Sequence, residues 1–120
     1  MTTKRSRKGG VQGFARFRHR VTCDLFIAGA RHGGLITDLS ASGLYVRTKH
    51  TSQTGDRIRL VLHEEEGDVE VDARVVREHR MSRHHTTGTP SGLGVHIVAA
   101  PEAYFHLLSR LMDEAGTAAS

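Results

Sequence analysis

The stretch that decides the fold is "LGVHIVAAPEAYFHLLSRLM", Leu93 to Met112, because its period changes half-way. Up to Val98 it reads as a strand. Pro101 then fits the first position of a helix, where its missing N–H costs nothing. Beyond it Tyr104, Leu107, Leu108, Leu111 and Met112 recur at i, i+3, i+4, i+7 and i+8, one face of an amphipathic helix. Working back from this boundary, every other patterned segment reads as a strand. "VEVDARVVREH" is the longest, with Val69, Val71, Ala73 and Val75 on one face. "RIRLVLH" sends Ile58, Leu60 and Leu62 inward, and "VTCDLFIAG" does the same with Val21, Cys23, Leu25 and Ile27. "LITDLS" and "GLYVRT" complete six, with "GARHGG" expected to close the first hairpin and Glu64 to Asp68 forming an acidic turn. Six short strands and one helix predict a mainly β chain: a small six-stranded antiparallel barrel whose closure removes exposed edges. The helix, over 101–114, would cover one opening or pair with another chain.

The length of 120 residues suits one domain, and the apolar share of 38% with no Trp predicts a thin core of Val, Ile and Leu. Charge is unevenly placed. Residues 1–20 carry Lys4, Arg5, Arg7, Lys8, Arg16, Arg18 and Arg20 with no acidic residue, a charge of +7; the remaining 10 basic residues meet all 13 acidic ones, a charge of −3. A basic leader on a mildly acidic body fits a phosphate-bearing partner. Residues 1–13, without hydrophobic period, read as a flexible arm. Residues 14–115 form the domain and 116–120 a frayed tail. The single Cys23 excludes an intramolecular disulfide and reads as a packing residue. No apolar run of ~18–20 residues is present and no apolar stretch follows the basic start, so neither a membrane span nor a secretory signal is expected, and the cytoplasm is the expected compartment.

Two motifs carry the chemistry. "ARFRHRV", Ala15 to Val21, sets three arginines at alternate positions with no carboxylate near. "DLSASG", Asp38 to Gly43, lies between two strands, where Asp and Ser make side-chain turns to the backbone and Gly supplies conformational freedom. In order, these resemble the PilZ domain family, whose pattern is RxxxR on an N-terminal loop followed by [D/N]xSxxG on a barrel strand. "RFRHR" and "DLSASG" fill every defining position. Val21 after the second arginine, a late "GLGVHIV" strand and a following helix agree with the resemblance, which runs from about Phe14 to Ala115. Arg20 and Asp38 are closer in sequence than the pattern usually has them, which implies a compact first hairpin.

The resemblance implies a receptor for cyclic di-GMP, with Arg16, Arg20, Asp38, Ser40 and Gly43 as binding residues; Arg18, Ala15 and Ser42 are only further candidates beside them, and no cofactor, catalytic group or metal belongs to this picture. Residue chemistry fits. The arginine fork matches guanine O6 and N7, or phosphate oxygens, in paired hydrogen bonds. An ionised Asp38 accepts from guanine N1–H and N2–H. Ser40 would donate to a phosphate or hold Asp38, and Gly43 would spare the ligand a Cβ. Arg18 is not a defining position and is expected to face solvent. Ligand would neutralise and order the arm, and a downstream protein partner would read the changed surface. Ala15, before the first arginine, bears on whether one ligand molecule or an intercalated pair is held. The chain would act as monomer or homodimer.

The rival reading is a basic barrel binding single-stranded nucleic acid. Aromatic platforms are few for that role: Phe14, Phe17, Phe26, Tyr45, Tyr104 and Phe105, the last two expected to face the core. Catalysis finds no support. "HRMSRHH", His79 to His85, lacks Cys partners for a zinc site, "GTPSGLG" lacks the Lys-[ST] of a phosphate loop and precedes a strand, and no Ser–His arrangement is visible.

Overall fold

The computed structural model of the chain describes residues 16–80 and 91–119. The arm 1–13, Phe14, Ala15 and most of the polar loop "MSRHHTTGTPSG" lie outside the described residues. Six strands succeed one another: β1 (Phe17–Ile27), β2 (Ala30–Leu39), β3 (Gly43–Arg47), β4 (Arg57–Glu64), β5 (Gly67–His79) and β6 (Gly92–Ala99), then helix α1 (Glu102–Ala119). They form a closed antiparallel barrel in the order β1-β2-β3-β6-β5-β4, with β1 pairing back onto β4 through Cys23↔Leu62 and Leu25↔Leu60. The alternating valines and leucines make the core: Leu25, Ile36, Leu60, Leu62, Val71, Val75 and Leu93 are all fully buried.

The first hairpin is tighter than "GARHGG" implied. Its turn is Ala28–Gly29, both at positive φ (50° and 84°), the geometry that matches strand twist in a two-residue loop. Arg31 to Gly34 therefore belong to β2. At the other end β1 begins at Phe17, so Arg18 and Arg20 lie in a strand and not in the loop that the motif implies.

Helix α1 closes the barrel end near the start of β1. Tyr104, Leu107, Leu108 and Leu111 are buried, each side chain contributing on the order of 1.5–3 kcal/mol. Met112 and Phe105, expected among the core residues, are instead exposed. A helix lying on a barrel mouth buries only a stripe, and these two fall outside it. The helix continues to Ala119, through the stretch expected to fray. No helix among the described residues is long and apolar enough to cross a membrane.

Of the register shifts in the barrel, two β-bulges change which residues face outward at one place. Ile36 and Asp38 are two residues apart and would share a face, as would Val75 and Arg77. The register shifts between each pair, against β3 and β6 respectively. The extra residue reverses the side-chain phase. Ile36 and Val75 remain in the core while Asp38 and Arg77 come outside.

Candidate functional site

Those bulges complete one row across the outer surface of five strands. Arg18 of β1 stands opposite Asp38 of β2, Asp38 opposite Tyr45 of β3, Tyr45 opposite Gly94 of β6, and Gly94 opposite Arg77 of β5. Directly paired residues share a face, and their neighbours Leu39, Leu44, Val46, Leu93 and Val95 are core. The row reads cation, carboxylate, aromatic, gap, cation.

The gap is occupied from the side. A Cβ at Gly94 would sit 3.2 Å from Nε of Arg77. Without it, Arg77 lies across β6 and brings its guanidinium 6.0 Å from the centre of the Tyr45 ring, at the outer range of a cation–π contact. Gly92 makes room for the far end of the same ring; a Cβ there would lie 2.8 Å from the phenol oxygen. Tyr45 is thus only 7% exposed although it faces outward. Burial raises its phenol above the ordinary pKa, against the downward pull of Arg77, Arg80 and Arg47.

Beside the row, the chain turns from β2 into β3 through Ser40 to Gly43. The Ser40 hydroxyl accepts from the N–H groups of Ser42 (3.3 Å) and Gly43 (3.1 Å), and its own N–H donates to the Gly43 carbonyl (2.9 Å). The Ser40 carbonyl accepts from the Tyr104 hydroxyl of α1 at 2.7 Å. Ser40 is buried and its hydroxyl serves the turn. Gly43 is required for a reason the motif does not state: a Cβ there would meet the Val95 carbonyl oxygen at 2.6 Å, inside any real contact. Asp38 accepts from the Thr37 hydroxyl at 3.0 Å.

Arg16, immediately before β1, reaches the same place. It lines a groove of about 380 Å³ with Asp38, Ser40, Ser42, Gly43, Tyr45, Arg77 and His96. The PilZ domain family model matches residues 11–114 of the chain. The chain belongs to the PilZ domain family. No curated protein sequence matches it significantly. Among solved structures, the PilZ domain with c-di-GMP of YcgR from Escherichia coli is similar at a TM-score of 0.64 and 17% identity, covering 88% of this chain and 94% of that one. The Bacillus subtilis inhibitor of motility MotI/DgrA is similar at 0.64 and 18%, covering 85% of this chain. This chain spans about half of MotI, 49% of its length. The PilZ domain of CeSA from a cellulose-synthesizing bacterium is similar at 0.56 and 14%, with 82% and 96% covered.

In this PilZ domain the two motif arginines do not meet. Arg20 lines a different groove, of about 530 Å³, with His19, Glu64, Glu65, Glu66, Arg110 and Glu114. Glu64, its side chain 9% exposed, is held there from both sides: His19 Nε2 stands 2.9 Å from one carboxylate oxygen and Arg110 3.3 Å from the other. Arg110 also reaches Glu66 at 3.4 Å. Arg18 is exposed, as expected, and sits in register opposite Asp38. Sequence reasoning missed Tyr45, Arg77 and His96. The signal present was "GLG", Gly92 to Gly94, two glycines in a strand that mark close approach, but the bulge that aims Arg77 at them has no sequence signature. Among the described residues no cluster of three His, Cys, Asp or Glu side chains could hold a metal.

Proposed function

We propose that this PilZ domain is a cyclic di-GMP-binding effector, and that the ligand occupies the groove between Arg16, Asp38 and the Ser40–Gly43 turn. The observation that carries this is the meeting, in one groove of a PilZ domain, of an arginine fork, a carboxylate and a tightly built glycine turn. Asp38 accepts from guanine N1–H and N2–H, and Arg16 supplies bidentate contacts to a guanine O6/N7 edge or a phosphate. Arg20 joins them by leaving its acidic groove as the start of β1 rearranges. The ligand's phosphates offset the +7 of residues 1–20 and draw that segment onto the barrel. A protein partner then reads the new surface. YcgR's PilZ domain, whose structure holds c-di-GMP, makes the same ligand the first to test.

Calorimetry with cyclic di-GMP, cyclic di-AMP and GTP tests the reading. Saturable binding of cyclic di-GMP with discrimination against the other two is expected. Arg20→Ala should weaken it by ~1–3 kcal/mol, about 5- to 150-fold. No heat and no rise in melting temperature with cyclic di-GMP would overturn the assignment.

Single-stranded nucleic acid is the second reading, favoured by a separate cleft lined by Arg47, Lys49 and His50. The aromatics other than the exposed Phe105 argue against it. Arg59 covers Phe26 at 5.0 Å, Arg77 lies over Tyr45, and Tyr104 is in the core. A salt titration separates the two, because a polyanion would release counterions steeply with salt while a small dinucleotide would not.

A further inference from the structure

We infer that Arg77 is a fixed platform on which a guanine base stacks while Asp38 reads that base's edge. The inference rests on the proposed function, that this groove takes a guanine dinucleotide. Arg77 is rooted in β5, three strands from Asp38 in the order β2-β3-β6-β5. Neighbouring strands are ~4.8 Å apart, so the two Cα positions are far too distant to share one base. The side chain closes that distance. It runs over Gly94 and delivers the guanidinium above Tyr45 on β3, the strand next to Asp38. A flat base laid on the guanidinium there presents its N1–H and N2–H groups to the carboxylate one strand away.

Three features of the chain serve that placement. The bulge after Val75 turns Arg77 out of the core. Gly94 leaves the path that any Cβ would crowd. The Tyr45 ring supports the guanidinium from below and is itself too buried to receive a base. What is left for a ligand is the outer face of an exposed Arg77. Guanidinium planes, like aromatic rings, stack unpaired bases. A lysine in this place would carry the charge without the plane. Arg77 also differs from Arg16 and Arg20 in that it stands within the barrel wall, so it is in place before the ligand arrives.

The experiment is calorimetry of the full chain with cyclic di-GMP for wild type, Arg77→Ala, Arg77→Lys and Gly94→Ala. Proton NMR is run on the wild type, following the Arg77 δ protons. Losses of about 5- to 150-fold are expected for both Arg77 variants, the range for removing one base-stacking side chain. A smaller loss is expected for Gly94→Ala, and the Arg77 δ protons should move upfield under the purine ring current on binding. Melting temperatures near wild type for the Arg77 variants show that they are folded, as an exposed side chain predicts. Wild-type affinity in Arg77→Lys overturns the stacking role, because charge alone then suffices. Wild-type affinity in both Arg77 variants, or δ protons that do not move on binding, overturns the inference and leaves the ligand assignment standing. A wild type that binds no cyclic di-GMP overturns both.

Discussion

Replacing Tyr104 by phenylalanine removes one hydrogen bond and almost nothing else. The ring is fully buried in the core and makes an edge contact with Phe105 at 5.5 Å, both of which phenylalanine keeps. The lost oxygen is the donor to the Ser40 carbonyl at 2.7 Å. A typical internal hydrogen bond contributes a net ~0.5–1.5 kcal/mol. The Ser40 carbonyl sits in a buried turn, so the loss of its donor brings desolvation with it and moves the expected cost to ~1–3 kcal/mol. Urea unfolding read by circular dichroism should show the midpoint falling by about 1 M, given m-values of ~1–3 kcal/mol/M for small domains. The same turn shapes the proposed ligand groove, so Tyr104→Phe should also weaken cyclic di-GMP, by less than the direct contact residues do. A stability within ~0.3 kcal/mol of wild type would refute the reasoning. It would mean that α1 does not hold the turn through this bond.

Gly43→Ala should destabilise by ~1–3 kcal/mol through overpacking, because its Cβ would stand 2.6 Å from the Val95 carbonyl; an unchanged urea midpoint would mean that β3 and β6 part without cost. His63 should titrate above the ordinary histidine value by NMR, first because of its hydrogen bond to Asp68 at 3.0 Å and then because of the charges of Asp68 and Asp24. The stabilisation from that pairing is present below the unfolded-state pKa of ~6.5 and is lost as pH rises through the folded value. Asp68→Asn should lower the titration point, and no movement would remove Asp68 as the cause. Burial, with Asp24 adding to it, pushes the Cys23 thiol up to about 12. The folded chain therefore keeps a proton that the unfolded chain gives up, and stability falls as pH rises above ~9. Cys23→Ala should flatten that alkaline fall in urea midpoints, and an equally steep fall in the variant would refute the assignment.

The barrel was legible because alternation survives in β1, β4 and β5: Val21, Cys23 and Leu25, Ile58, Leu60 and Leu62, and Val69, Val71, Ala73 and Val75 point where a period of two puts them. The helix was legible from Pro101 and the leucine spacing. The site was legible only as a set of residue types. "DLSASG" announces a turn, and Ser40 does bind the backbone of Ser42 and Gly43 as its chemistry suggests. Strict alternation, however, places Asp38 with Ile36 and Arg77 with Val75, inside the barrel. Only strand pairing reveals the bulges that reverse them, and pairing partners lie far apart in the chain. Gly43 and Gly94 answer to atoms on β6 and β5, Val95 and Arg77, that no local pattern names. Arg16 and Arg20 look like one motif in the sequence, yet β1 carries them to different grooves.

That separation bears on how the proposed binding in one groove would reach the rest of the molecule. Helix α1 meets the site by two polar routes. One is Tyr104 to the Ser40 carbonyl, directly behind the turn that borders the Arg16 groove. The other runs through Glu64, which holds His19 of β1 with one oxygen and Arg110 of α1 with the other. His19 adjoins Arg20, so under the proposed function a ligand that drew Arg20 toward Arg16 would pull on the strand residue that Glu64 grips. Hydrogen bonds and a buried carboxylate transmit such a displacement better than sliding apolar contacts, because they are directional and costly to leave unmade. Phe105 and Met112 are exposed on the outer side of this helix, which is tied by Tyr104 to the turn that lines the Arg16 groove and by Arg110 to the carboxylate beside His19.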